Sequence, residues 1–316
     1  MTAVSIKALC IGFFALALTA CSSTYTSRYV YEPVANEHHE LTVVDNQEFT
    51  YDDSASFAMN SKNLIGVEMN VIDAKSPEDS VRYYSTGERV AGALIDYAAN
   101  GIMGAFADAT VTGQANDEAS KAKPYMGIFV DKALINEDDL KASFISVRDL
   151  VGKKLFNAAA KELEGAEYVG TYTATYTNEK AVATTLFSAP QCQSLREKYG
   201  YKSETIWSGY LLDYPGDARG MCRIGLELEY LKTSDEALAK WGAEGKALVK
   251  VKATAAEFLD QAFAKHIEDG FFVTPFRYKT SSQKLWITNR FPSVGYQGKA
   301  HLFTKDNHTT HINVNL

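Results

Sequence analysis

With 316 residues, 46% of them hydrophobic and 22% charged, the chain has enough apolar material for one large core or two moderate ones. Its formal charge of −7 disfavours phosphate backbones and anionic headgroups alike. Nucleic acid is therefore not an expected partner, and a membrane location requires an anchor rather than a basic patch.

Lys7 is the single charge within residues 1–20, and Ala8 to Leu18 is an uncharged run. That run falls short of the about 20 apolar residues needed to span a hydrocarbon core and has the length of a signal-peptide h-region. Leu18-Thr19-Ala20-Cys21 follows. This order resembles the lipobox of bacterial lipoproteins. The resemblance implies cleavage before Cys21, a diacylglyceryl group on its sulfur, and acylation of the new amine. A thiolate alkylates readily and the resulting thioether is stable; two or three acyl chains, at about 0.8 kcal/mol per buried methylene, hold durably where one would be marginal. Ser22 stands where an inner-membrane retention signal would carry Asp, so a Gram-negative source implies the outer membrane, on its periplasmic or its surface face. Membrane lipid, through Cys21, is the first expected partner. The implied organisation is a signal peptide over 1–20, a tether over 21–36, and a body over 37–316, as one domain or as two with a boundary near 165.

Four cysteines occur, at positions 10, 21, 192 and 222. With Cys10 in the leader and Cys21 lipidated, two remain for a body exported to an oxidising space, which predicts a Cys192–Cys222 disulfide. The loop of about 30 residues that it closes is worth roughly 3.5–4 kcal/mol in the chain-entropy model. Neither cysteine belongs to a CxxC spacing, so a metal role is not expected.

In the body, Leu41 to Val44 begins strand-like material, and Ile65, Val67, Met69 and Val71 alternate with Gly66, Glu68 and Asn70 in the pattern of a half-buried strand. Ser76-Pro77-Glu78-Asp79 reads as a helix start, and Ser85 with Glu88 as a capping box opening a longer helix. From Val90 to Gly113 only Asp96 and Asp108 are charged, and Gly101, Ala105, Ala109 and Gly113, four apart, form a smooth ridge along a helix. The ridge suits membrane insertion or self-association on one reading and a buried Gly/Ala-rich helical hairpin on the other. Two aspartates, each costing about 2.5–3.5 kcal/mol at a bilayer centre, favour the hairpin.

Tyr125 to Val130 predicts a strand, and Phe144, Val147, Val151, Leu155, Ala158 and Leu163 mark one face of an amphipathic helix ending near Gly165. Tyr168, Tyr172 and Tyr176 alternate with Val169, Thr171, Thr173 and Thr175, and Asn178-Glu179-Lys180 turns the chain into Ala181 to Phe187, predicting a hairpin. Its tyrosines form a ladder that either binds a sugar or peptide or packs under a helix. Ile206 to Leu212 and the alternating Cys222, Ile224, Leu226, Leu228 and Tyr230 read as strands. Thr233 with Glu236, and Thr254 with Glu257, form further capping boxes. A helix through Ala255, Phe258, Leu259, Ala262, Phe263 and His266 stops at Gly270, and Leu285 to Phe291 and Ala300 to Leu316 close the chain as strands.

No constellation carries recognisable catalysis. Adjacent His38 and His39 in Glu37-His38-His39-Glu40 point apart on a strand, and HExxH is absent. His308 and His311 face opposite sides of a regular strand, so sharing a metal with His301 requires a bulge. His266 lies on an apolar helix face as a core histidine. GxSxG, GxGxxG and the P-loop are absent; Gly242-Ala243-Glu244-Gly245-Lys246 is too short and lacks the final hydroxyl. Asp52-Asp53 and Asp138-Asp139 read as caps or loops. No metal or cofactor is expected.

The fold expected is α+β, a mainly antiparallel sheet with packed helices. The function expected is that of a lipid-anchored envelope protein that binds or scaffolds an envelope protein or cell-wall partner without catalysis. The alternatives are an envelope hydrolase with dispersed residues, and an oligomer or pore built on the 90–113 ridge.

Overall fold

The computed structural model describes residues 39–69, 71–76, 80, 124–174, 182–192, 221–255, 259–274 and 292–312. By its contacts the chain divides into Met1–Ala35 and Asn36–Leu316, and the fold described is that of the second unit. In chain order its elements are β1 (Thr42–Asp45), α1 (Phe57–Leu64), β2 (Tyr125–Asp131), a 3-10 turn (Lys132–Leu134), α2 (Leu140–Ala160), β3 (Glu167–Ala174) and β4 (Val182–Ser188). They continue with β5 (Cys222–Lys232), α3 (Asp235–Ala239), β6 (Lys246–Thr254), α4 (Leu259–His266), β7 (Gly270–Thr274), β8 (Ser293–Tyr296), β9 (Lys299–Leu302) and β10 (Thr309–His311).

The strands make one ten-stranded sheet in the order β10-β9-β8-β7-β2-β6-β5-β4-β3, with β1 beside β5. β5 is long enough to serve two neighbours along one edge. Its first half pairs antiparallel with β4, from Cys222 opposite Phe187 to Glu227 opposite Val182. Its second half pairs parallel with β1, from Glu229 opposite Thr42 to Lys232 opposite Asp45. The other edge lies against β6. Every other pairing among the described strands is antiparallel. The sheet with its helices is the α+β architecture expected, and strands from both sides of residue 165 join it.

Side chains alternate across the strands and load both faces. Ile224, Leu226 and Leu228 of β5, Met126, Ile128 and Val130 of β2, and Val249 and Val251 of β6 face α2 and α4 in the larger core. Leu231, Phe129 and Leu248 from the same strands enter a second core with Leu64, Trp241, Phe271 and Phe303. α2 starts where the Asp139 carboxylate accepts the Ala142 N–H at 2.9 Å, and presents Phe144, Val147, Val151 and Leu155 to the sheet at helical spacing. Gly152 sets its depth: a Cβ there would stand 2.0 Å from Thr171 Oγ1 and 2.4 Å from Thr185 Oγ1.

The structure corrects several expectations. Residues 65–69 form no strand, and Asn70 lies outside the described residues. Ser56 caps a helix unforeseen in the sequence, its hydroxyl accepting the Met59 N–H at 3.0 Å. That helix ends at Ile65 in a Schellman motif: Gly66 sits at φ +58°, its N–H bonds Asn63 O at 3.0 Å, and Val67 N–H bonds Lys62 O at 3.2 Å. The apparent alternation is a helix terminus whose Ile65 and Val67 drop into the second core. Ser234, not Thr233, caps α3, accepting the Ala237 N–H at 3.2 Å. Thr254 is the last residue of β6, its expected capping-box partner Glu257 lies outside the described residues, and Gly270 opens β7. Of the 300–316 stretch, the described residues form two short strands, β9 and β10, joined by a turn, and residues 313–316 lie outside the described residues. The Gly101, Ala105, Ala109 and Gly113 ridge, Pro77–Asp79, Ser85 with Glu88, Ile206–Leu212 and Leu285–Phe291 lie outside the described residues.

Gly152→Ala is expected to lower stability by about 1–3 kcal/mol, because α2 must lift from β3 and β4 or two packed threonines must turn. Urea denaturation reads this; an unchanged midpoint would show that the contact yields freely.

Candidate functional site

Cys192 follows β4 and Cys222 begins β5, and antiparallel pairing of those strands carries the two together. Their Cα atoms are 5.3 Å apart and the sulfurs are at disulfide distance, as the cysteine count predicts. Cys192 is buried against the larger core, so the cross-link joins the strand pair to the packed interior. Cys21 lies outside the described residues, as do Cys10 and His38.

Tyr168 and Tyr172 of the β3–β4 hairpin do not share a face. Register shifts between Tyr168 and Gly170, so a bulge at Val169 rotates the strand. Tyr168 consequently turns to the helix side, its ring 5.2 Å from Phe156 and its hydroxyl 2.9 Å from Thr171 Oγ1. Tyr172, on the opposite face, donates to Val169 O at 3.3 Å; Tyr176 lies outside the described residues. Beneath α2 the buried Arg148 guanidinium donates to the Thr173 hydroxyl and to Asp149 Oδ1.

On the opposite side of the sheet the structure gathers rings that the sequence scatters over 250 positions. Trp241 is the hub, with Tyr51 at 5.5 Å, Phe57 at 5.8 Å, Phe271 at 6.1 Å and Phe49 at 6.2 Å between ring centroids. Its indole N–H donates to Ser61 Oγ at 3.1 Å. Phe57 extends the cluster to Tyr296 at 5.1 Å and His301 at 4.5 Å. Trp241 and Phe271 are buried, whereas Phe49, Tyr51, Phe57, Tyr296 and His301 are half-buried. Polar groups rim the rings. The Tyr296 hydroxyl donates to Trp241 O at 2.9 Å and receives Gln297 Nε2 at 3.1 Å. Lys240 Nζ lies 4.9 Å over the Tyr51 ring and pairs with Asp53 at 3.0 Å. Half-buried aromatics with polar tips and a charged rim have the composition of a recognition surface, and this cluster is the candidate site.

Across β5 and β6, Glu227 pairs with Lys252 at 2.9 Å and Glu229 with Lys250 at 3.3 Å. The hydrogen bond to Glu227 holds the Lys252 ammonium above its ordinary range, against the opposing effect of burial. Between α2 and α4, Glu162 takes His266 Nε2 in a hydrogen bond and Lys265 Nζ at 3.3 Å. Burial opposes ionisation of Glu162, but its bonds to His266 and Lys265 outweigh burial and hold the carboxyl below the ordinary value of 4.5. His266 is thus a half-buried histidine oriented by a carboxylate. Carboxylate orientation is one requirement of a general base, but among the described residues this imidazole's hydrogen bond is to Glu162.

Among the described residues no three His, Cys, Asp or Glu side chains come together to hold a metal, so His301, His308 and His311 do not converge. The Asp52 carboxylate takes the Ser54 N–H at 2.8 Å and Asp139 caps α2, the loop and cap roles their setting suggests. Gly242 and Gly245, both at positive φ, belong to the turn between α3 and β6. No described helix is long and apolar enough to cross a membrane. Compared with protein-family models, curated proteins and solved structures, the chain matches none.

Replacing Cys192 and Cys222 together with Ala should cost about 2–4 kcal/mol in equilibrium denaturation of the oxidised protein, by releasing the closed loop in the unfolded state. Glu162→Gln should remove a stabilisation that is present above about pH 4.5 and fades as pH falls through the lower folded-state value. Denaturation from pH 3 to 7 would then show wild type and variant converging in acid; a gap that persists at pH 3 rejects the assignment.

Proposed function

We propose that the chain is a lipid-anchored protein of the bacterial envelope, held through Cys21 in the outer membrane, whose body binds or scaffolds another envelope component. Residues 1–20 are its signal peptide, 21–36 its tether, and 37–316 its body. The observation that carries this reading is the meeting of Cys192 and Cys222. Once a leader removes Cys10 and lipid occupies Cys21, these are the two thiols left, and they meet as a disulfide, a bond that persists in oxidising spaces outside the cytosol. The lipobox-like Leu18-Thr19-Ala20-Cys21 supplies the address. The acidic charge of the chain supports attachment by acyl chains rather than by attraction to anionic headgroups.

The binding role is supported by the half-buried ring cluster around Trp241, whose aromatic centre and polar rim resemble the anatomy of protein recognition patches. The partner is an envelope protein or cell-wall component.

Cys21→Ser is expected to abolish labelling by radioactive palmitate and to move the protein out of the membrane fraction unprocessed. Labelling retained in that variant, or an unmodified Cys21 by intact-mass spectrometry of cell-derived protein, defeats the anchor. The binding role is tested by mild crosslinking in cells. The expected result is a defined adduct lost in the Tyr51→Ala, Phe57→Ala pair while the fold is retained; adducts indifferent to that pair defeat the binding surface and leave the anchor standing.

A further inference from the structure

We propose that His301 is an acid-operated latch, which in its neutral form holds α1 against the β8–β9 hairpin and on protonation releases it. The imidazole sits at the joint. It projects from β9, directly across from Val294 on β8 and Thr309 on β10, and the Phe57 ring at the start of α1 lies 4.5 Å from it. Tyr296 closes the other side at 6.2 Å. The helix start is fastened around the same point. Phe57 N–H donates to Asn307 Oδ1 at 2.8 Å, and the Ser56 N–H and hydroxyl both donate to the Asp73 carboxylate, the N–H at 2.7 Å. Phe57 also touches Trp241, so displacement of α1 exposes the hub of the ring cluster.

The surroundings favour the neutral ring. Burial among Phe57 and Tyr296, and then the positive charge of Lys299, depress the imidazole below its ordinary value; a backbone hydrogen bond at Tyr296 acts the other way and is outweighed. The ionisable groups on the packed elements are few. Lys299 and Tyr296 flank the imidazole along the hairpin, and burial pushes the Tyr296 phenol up, keeping it neutral. His311 lies on β10 opposite Lys299. Lys305, Asp306 and His308 lie in the β9–β10 turn, where the His308 N–H reaches Asp306 Oδ1 at 3.3 Å. On α1 itself the charged residue is Lys62, in the last turn. Two carboxylates lie near the joint, Asp73 holding the Ser56 N–H and hydroxyl and Asp306 taking the His308 N–H, while the charge that acts on the His301 imidazole is that of Lys299.

A histidine whose folded value lies below its unfolded value of 6.5 binds more protons when the joint is open. The closed form is therefore fully favoured above about pH 6.5 and loses ground as pH falls from there towards the folded value, by at most about tenfold per pH unit.

Hydrogen exchange by mass spectrometry, corrected for the pH dependence of intrinsic rates, tests this between pH 7.5 and 5. Protection of residues 57–64 is expected to fall several-fold towards pH 5 while that of α2 is unchanged. The fall should vanish in His301→Phe and in the smaller, neutral His301→Gln, and shrink in Lys299→Glu, where a carboxylate eases protonation of the closed form. Constant protection of 57–64 in wild type, or a fall of equal size in a folded His301 variant, overturns the proposal.

Discussion

Burial of the central strands on both faces is the constraint from which the rest of the structure follows. In β2, β6 and β7, successive side chains enter different cores, Phe271 and Val273 one and Phe272 the other. No water reaches such a backbone, so its amides and carbonyls must find partners within the sheet. The ladders β2–β6 and β2–β7 provide them. Each core then needs its own cover. On one face this is the 21-residue α2 with α4; on the other it is the short α1, α3 and the ring cluster. The unequal lengths explain the unequal character of the two faces. The long helix covers its face with a continuous row that mixes Phe144 and Phe156 with Val147, Val151 and Leu155, while on the other face rings from loops, around Trp241, fill the space between the short helices.

Small residues decide how closely these layers approach. Gly127 makes room for the Phe271 ring, where a Cβ would stand 2.4 Å from Phe271 Cζ. Gly295 admits the backbone of α4, where a Cβ would stand 2.4 Å from Ala264 O. Together with Gly152 under α2, these positions exchange side-chain contact for backbone proximity, and each lies where a helix or ring presses hardest on the sheet.

The same physics governs what could be read from the sequence. β5 and α2 were legible because each has one dominant face, so periods of 2 and 3.6 survive in Ile224, Leu226 and Leu228 and in Phe144, Val147, Val151 and Leu155. β7 carries no period, because Phe271, Phe272 and Val273 are all buried, and β8 is too short to show one. The residues after α1 misled because a Schellman terminus places apolar side chains on both sides of a glycine, as a strand does. In β3 the alternation was real in the sequence but broken by the Val169 bulge, which no residue type there announces. The disulfide was legible by counting. The ring cluster was not, since Tyr51, Phe57, Trp241 and Tyr296 are neighbours only once the strands that separate them in the chain have paired.

The Glu–Lys ladder explains how β5 and β6 keep their alignment. Glu227 with Lys252 and Glu229 with Lys250 are half-exposed pairs, and such pairs contribute at most about 1 kcal/mol each. Their larger effect is on the alternatives. Slipping β6 by one residue would turn Lys250 and Lys252 towards α2 and α4 and bring Val249 and Val251 out of the larger core. A slip of two would keep the faces but set Lys250 opposite Glu227 and leave one charge of each sign unmatched. The ladder therefore penalises both errors, the first by burying unpaired ammonium groups and the second by stranding charges. Pairing of β5 with β4 in turn fixes Cys222 opposite Phe187, a few residues before Cys192. The β4–β5 register, from Cys222 opposite Phe187 to Glu227 opposite Val182, is thus what brings the two thiols within reach, and the ladder with β6 holds the other edge of the same strand.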